Sequence, residues 1–275
     1  MKPVLIKNFK IGANIYGFYI CKKIECKLTR LGDEYLDLLL QDKTGLVRGK
    51  VWSNVSEFKN ELFNNEIVAV KGSVIEYNKV KEINIFYLNN ASTNLYRKYG
   101  FNKDNLIIKI SENISTLEKF LYESINNKEL KTGKEIKTLI KNNFDKISKI
   151  PSLNKPYDLS GGFLLELVHL LKLNKKLPKI FNGKDESLII IGIIMKNIGL
   201  LQYFKDDIQF SISELGKESS VKLLTLNIID DYYKQNDSLK IKLQKFVLSE
   251  NNNIDVNLKF VESLYDFNNS INALN

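Results

Sequence analysis

The chain has 275 residues, 44% of them hydrophobic and 27% charged, with two cysteines, one histidine and a formal net charge of +9. That length suits one large or two ordinary domains, while a single imidazole and two thiols exclude a Cys/His zinc site. No apolar run is expected to reach the roughly 18–20 residues that span a bilayer, and the opening MKPVLIKNFKIGANIYG lacks the apolar core of a secretory signal. A cytoplasmic protein without membrane attachment is therefore expected.

The positive charge is unevenly spread. Residues 1–90 hold 14 Lys/Arg against 10 Asp/Glu, residues 91–150 hold 12 against 7, and residues 151–275 hold 15 against 15. A polyanionic partner should meet the first 150 residues, although an excess of this size also serves solubility alone.

The first predicted element is a long strand over 15–29. Cys21 and Cys26 lie five apart along it, and strict alternation puts them on opposite faces, unable to pair. EYLDLLLQD (34–42) alternates next, with Leu36, Leu38 and Leu40 on one face and Tyr35, Asp37, Leu39 and Gln41 on the other. KTG turns the chain into LVRGKVW (46–52), where Val47, Gly49 and Val51 share one face and Leu46, Arg48, Lys50 and Trp52 the other. A short polar piece, 53–63, is predicted helical. Strands over 66–77 and 80–88 follow, joined tightly at Asn78-Lys79. The order β-β-β-α-β-β is that of a five-stranded OB-fold, a small partly open barrel, although other small barrels share part of this pattern.

OB barrels hold single strands across their second and third strands, with rings stacking on bases and cations following phosphates. Tyr35 on one strand and Arg48, Lys50 and Trp52 on the next make such a row, which Lys22, Lys23, Lys79 and Lys81 extend. These eight residues are the candidate nucleic-acid contacts. In the competing reading Trp52 packs under the following helix and Lys50 is ordinary surface.

From residue 111 the period becomes helical. ISTLEKFLYESI and GKEIKTLIKNNFDKI are amphipathic, and Pro151 and Pro156 punctuate a connector ending in LSGG. FLLELVHLLKLNKKL, SLIIIGIIMKNIGLLQYF, SSVKLLTLNIIDDYY, LKIKLQKFVLS and NLKFVESLYDFNNSI then read as successive helices. The expected organisation is multi-domain α+β: a barrel over 1–90, a basic helical connector over 91–150 and an all-α domain over 151–275.

The stretch GFYICKKIECKLTRLGDEYLDLLLQDKTGLVRGKVW resembles the N-terminal OB domain of the YhaM-type 3′-to-5′ exoribonucleases. The likeness continues through GSVIEYN, the basic connector and LSGGFLLELV. It implies that the helical domain is of the HD type, in which His and Asp side chains hold divalent metals for phosphodiester hydrolysis. At the corresponding positions this chain departs from that pattern. Glu166 stands where the family has a histidine after the Gly-Gly pair, and Lys196-Asn197 stands at the His-Asp doublet. A family lysine is Leu200, GKESSVK contains no histidine, Glu250-Asn251 replaces a histidine pair, and Asn269 falls near the final aspartate. His169, in ELVHLLKL on an apolar helix, reads as a core or boundary residue rather than a ligand.

Such a centre needs imidazoles and carboxylates converging from several helices. A lysine would put a cation where the metal should sit. The resemblance therefore implies the fold and the ligand class without the reaction: a catalytically inactive relative that binds single-stranded RNA or DNA, RNA being the family's expectation. Such a protein needs no metal or other cofactor, and its helical domain serves as a scaffold for self-association or for a protein partner. Two alternatives stay open. One is an exonuclease rebuilt around Glu166, Glu250 and Lys196, or around Asp206-Asp207 or Asp230-Asp231. The other is a purely structural subunit of a larger assembly. Lys196 is expected either to pair with Glu166, because an unpaired buried charge is costly, or to reach solvent along its helix.

Overall fold

The computed structural model describes residues 2–59, 65–91, 94–126, 133–177, 185–205, 207, 210–234, 237–248 and 254–273. The chain forms two compact units, Met1–Ile108 and Lys109–Asn275.

In the first unit the strands are β1 (Asn14–Leu28), β2 (Glu34–Asp42), β3 (Gly45–Val51), β4 (Glu66–Tyr77) and β5 (Val80–Asn90), with helix α1 (Val55–Lys59) between β3 and β4. They close in the order β1-β2-β3-β5-β4. Only β3 and β5 run parallel; the other neighbours are antiparallel. The alternation of β2 and β3 works as its period dictates: Leu36, Leu38, Leu40, Val47 and Val51 fill the interior. Val55 and Phe58 of α1 pack against that core. The barrel is an OB-fold.

Two bulges break the alternation. Cys21 pairs with Leu40 and Lys23 with Leu39, so Lys22 is an extra residue on β1. The inserted residue reverses the parity beyond it, which corrects the expectation for the cysteines. Cys26, opposite Leu36, shares the face of Cys21 rather than opposing it. The two remain unpaired because their partners Leu40 and Leu36 stand four strand residues, about 13 Å, apart, far beyond disulfide reach; both are free, Cys21 buried and Cys26 exposed. On β5, Lys71 pairs with Tyr87 and Gly72 with Ile85, leaving Phe86 as the extra residue.

Asp42, fully buried at the end of β2, pins the barrel mouth. It accepts hydrogen bonds from the Ile6 N–H (2.7 Å), the Thr44 N–H (2.6 Å) and the Thr44 hydroxyl. After β5 the chain makes 3-10 turns at Asn94–Tyr99 and Lys103–Asn105. Tyr96 and Phe101 meet Phe18 of β1 edge-on, burying a ring that points out of the barrel.

The second unit is all-α among the described residues: α2 (Ile114–Ile125), α3 (Gly133–Ile147), α4 (Gly162–Lys176), α5 (Glu186–Met195), α6 (Leu200–Tyr203), α7 (Glu214–Glu218), α8 (Val221–Tyr232), α9 (Asp237–Leu248) and α10 (Val256–Ala273). Helix α5 is buried at every position from Leu188 to Met195, the pattern of a core helix. The 18 residues Glu186–Tyr203 are apolar enough by composition to cross a membrane, contrary to expectation; 67% of them are buried inside the fold.

That stretch is not one helix. α5 stops at Met195, residues 196–199 form a turn, and α6 begins at Leu200. Gly199 explains the break. Its N–H donates to Thr225 Oγ1 at 2.9 Å, and a Cβ there would stand 2.3 Å from the Val221 carbonyl oxygen. The turn is thereby seated against the start of α8. The Gly161-Gly162 pair acts similarly at the start of α4. Gly161 is left-handed, with φ +83°, and a Cβ on Gly162 would lie 1.8 Å from the Tyr157 carbonyl oxygen. Only a glycine lets the connector press this closely on the helix.

Candidate nucleic-acid interface and the polar cluster of the helical unit

The row predicted on β2 and β3 forms in part. Tyr35 and Trp52 stack, with ring centroids 4.7 Å apart and planes 24° from parallel. Trp52 is 48% exposed, so one broad indole surface stays open instead of packing under α1. Arg48, exposed on the same outer side of β3, makes no ion pair among the described residues. Lys79 is exposed at the tip of the β4–β5 hairpin, where Asn78 and Lys79 both take positive φ.

Other lysines of the row are already engaged. Lys50 forms an ion pair with Glu82 at 2.8 Å and lies over the Tyr77 ring, 4.5 Å from its centroid. Lys23 pairs with Glu25, and Lys27 with both Glu25 and Asp37. Lys81 donates to the Phe9 carbonyl at 2.8 Å. Lys22 stands exposed on the β1 bulge. Alternation alone identifies which side chains face outward, but not which cations are matched by carboxylates on neighbouring strands. Tyr77, 55% exposed at the end of β4 with Lys50 over its ring, belongs to this surface, although the alternating row does not include it. The signal for it was an aromatic residue just before the hairpin.

In the helical unit, Glu166 of α4 is fully buried. Its Oε2 accepts from Ser152 Oγ at 2.6 Å and its Oε1 from Asn154 Nδ2 at 3.1 Å. Burial raises its pKa, opposed by these two donors and by the charge of Lys196. The expected Glu166–Lys196 contact does not form. The Lys196 ammonium lies instead over the rings of Tyr265 (4.8 Å to the centroid) and Phe246 (5.6 Å), so it does not run out to solvent either. Burial lowers its pKa, and Glu262 and Asp266 oppose that shift. The Tyr265 hydroxyl donates to the Ile193 carbonyl at 2.9 Å, tying α10 to α5.

His169 is a satisfied boundary residue, as expected. Its Nδ1 lies 2.9 Å from the Tyr157 hydroxyl. That hydroxyl also contacts Asn268 Oδ1 and Asn272 Nδ2, each at 3.2 Å. Burial, then Lys172, lowers the histidine pKa. Asn197 is half-buried in the turn after α5. Asn269 keeps a buried Oδ1 without a hydrogen bond among the described residues, and Asn268 rather than Asn269 reaches the cluster. Glu250, Asn251 and Asp206 lie outside the described residues. Asp207 is exposed and caps its own turn through the Ser211 N–H. Asp230 pairs with Lys240 and Asp231 with Lys234 on the surface.

A divalent metal does not fit the described part of this cluster. Both oxygens of Glu166 are engaged, the next position is an ammonium seated on two rings, and no three His, Cys, Asp or Glu side chains converge among the described residues.

No protein-family profile matches the chain. It is weakly but consistently similar to curated 3′-5′ exoribonucleases named YhaM. The Oceanobacillus iheyensis protein is 22% identical over 215 residues, covering 75% of this chain and 65% of that one. The Shouchella clausii protein is 20% identical over 217 residues, covering 77% and 66%. The chain thus spans a little under two-thirds of these relatives. Among solved structures, the second OB-fold domain of replication protein A from Methanococcus maripaludis covers 33% of this chain and 96% of its own, at 19% identity and a TM-score of 0.28. The OB domain of Ta0387 from Thermoplasma acidophilum covers 34% and 91%, at 12% identity and a TM-score of 0.29.

Proposed function

We propose that this protein binds single-stranded nucleic acid, RNA ahead of DNA, across the β2–β3 face of its OB barrel. In this reading the helical unit is an HD-type domain whose metal ligands have been replaced, and it works as a scaffold for self-association or a protein partner instead of as a nuclease. The observation that carries the proposal is the exposed Tyr35–Trp52 stack on the same outer face as Arg48, a guanidinium without an ion pair among the described residues. A base laid on Trp52 would extend an existing stack, and Arg48, about 13 Å further along β3, would meet a phosphate beyond it. Preference for RNA rests on the likeness to the YhaM exoribonucleases.

Stacking of one base contributes about 1–3 kcal/mol, so Trp52→Ala is expected to weaken binding of a fluorescent oligouridylate at least about fivefold. Anisotropy titrations measure this, and an unchanged affinity would remove Trp52 from the site. A parallel incubation with end-labelled RNA and manganese tests the second half. Intact RNA is the expected result. Progressive 3′ shortening that Glu166→Gln abolishes would instead establish a rebuilt nuclease.

A further inference from the structure

The first unit carries a second surface of the same chemistry, away from β2 and β3. Tyr16 of β1, Lys71 of β4 and Tyr87 of β5 are direct cross-strand partners and make one outward row. The bulge at Phe86 turns two successive β5 rings outward, where strict alternation would allow one. The turn Asn94–Tyr99 then folds alongside and adds Tyr96, Lys98 and Tyr99. Together these residues wall a groove of about 950 Å³, at the upper end of the roughly 300–1,000 Å³ typical of ligand sites.

Its composition is selective. Among the described residues five aromatic rings and three lysines line the groove, and no carboxylate does. Phe86 is 59% and Tyr99 54% exposed, so planar apolar surface faces water. Lys71 lies 5.2 Å from the Tyr87 centroid and Lys98 5.2 Å from that of Tyr99, placing ammonium groups at the ring faces without neutralising them. Rings for bases with unmatched cations for phosphates are what a single strand requires. An acidic surface would use the lysines but leave the rings unused. An apolar protein segment would strand the charges.

We infer that the groove between β1, β4, β5 and the Asn94–Tyr99 turn is a second single-strand site that stacks unpaired bases on Phe86 and Tyr99. It goes beyond the β2–β3 reading and does not depend on it. A strand longer than the roughly 4–16 nucleotides that one OB barrel occupies can engage both surfaces.

The test uses the full chain and an oligouridylate of about 20 nucleotides. The double variant Phe86→Ala/Tyr99→Ala should lose at least about thirtyfold in affinity. The change in Trp52 fluorescence on saturation should persist, since the chain's only tryptophan reports the other face. Lys98→Glu, on an exposed turn, should lower the salt dependence of binding. Photo-crosslinking with 4-thiouridine should mark the peptides holding Phe86 and Tyr99. Wild-type affinity in the double variant with no such crosslink overturns the inference while leaving the β2–β3 reading intact. Loss of Trp52 quenching alone would do the reverse. A dimer dissolved by the double variant, with oligonucleotide affinity unchanged, would assign the groove to protein and also overturn it.

Discussion

Glu166 shows how a single buried group sets a pH response. Its carboxyl pKa is raised above the ordinary 4.5, chiefly by burial. A raised carboxyl binds its proton more tightly in the folded state than in the unfolded one, so its contribution is fully present below the unfolded pKa and is lost as pH rises through the folded value. Glu166→Gln keeps partners for Ser152 and Asn154 without the charge. The variant should match the wild type near pH 4 and become the more stable of the two as pH rises above the ordinary carboxyl range. Thermal melts across that range check it; a wild type that gains on the variant as pH rises would show the carboxylate to be stabilising. Lys196 follows the same logic in mirror image. Its pKa is lowered because burial outweighs the carboxylates of Glu262, Asp266 and Glu166, so Lys196→Met, which keeps an apolar stem against the rings, should hold or raise the melting temperature. Both residues stood out in the sequence, one after a glycine pair and one in an apolar helix. Their partners did not, because Ser152 and Asn154 lie in irregular backbone and Tyr265 comes from a helix 69 positions away.

At the level of elements, period counting located the five strands to within about two residues at each end. It failed wherever one residue was added or a helix was interrupted. The bulges at Lys22 and Phe86 reverse parity, which no alternating pattern announces. The stretch 187–204 is apolar but for Ser187, Lys196, Asn197 and Gln202, so composition alone suggests one helix where two occur. What stops α5 is tertiary: Gly199 fits against α8. The same close approach makes Gly162 a sensitive position. Gly162→Ala must displace backbone, not a flexible side chain, and overpacking of this kind costs about 1–3 kcal/mol. In a unit of this size that corresponds to a fall of roughly 2–12 °C in melting temperature. A variant that melts with the wild type would mean that the connector yields freely.

For the molecule as a whole, the division into two units would separate recognition from scaffold on the function proposed above. Every residue of both proposed nucleic-acid surfaces lies within Met1–Ile108. Exposed charges beyond about 8–10 Å are largely screened at physiological salt. A fragment of residues 1–108 should therefore fold and bind oligouridylate within about threefold of the full chain, as measured by anisotropy. A loss beyond about tenfold would move a principal contact into the helical unit. The sequence carried the barrel's identity in its strand order. It could not disclose which surface lysines are neutralised, since Lys50 and Glu82 are 32 positions apart and meet only through the parallel β3–β5 pairing.

The places of the two cysteines along β1 make them chemically distinct. Cys21 is sealed inside the barrel, its thiol pushed up to about 11 by burial, while Cys26 stays exposed near the strand end. One thiol will therefore take a maleimide dye and the other will not. Two strand spacings, about 10 Å, separate β1 from the strand that leads into Trp52. The natural protein thus comes with a donor and a labelling point bracketing its β2–β3 face, and energy transfer between them can time the arrival of a strand without an engineered residue.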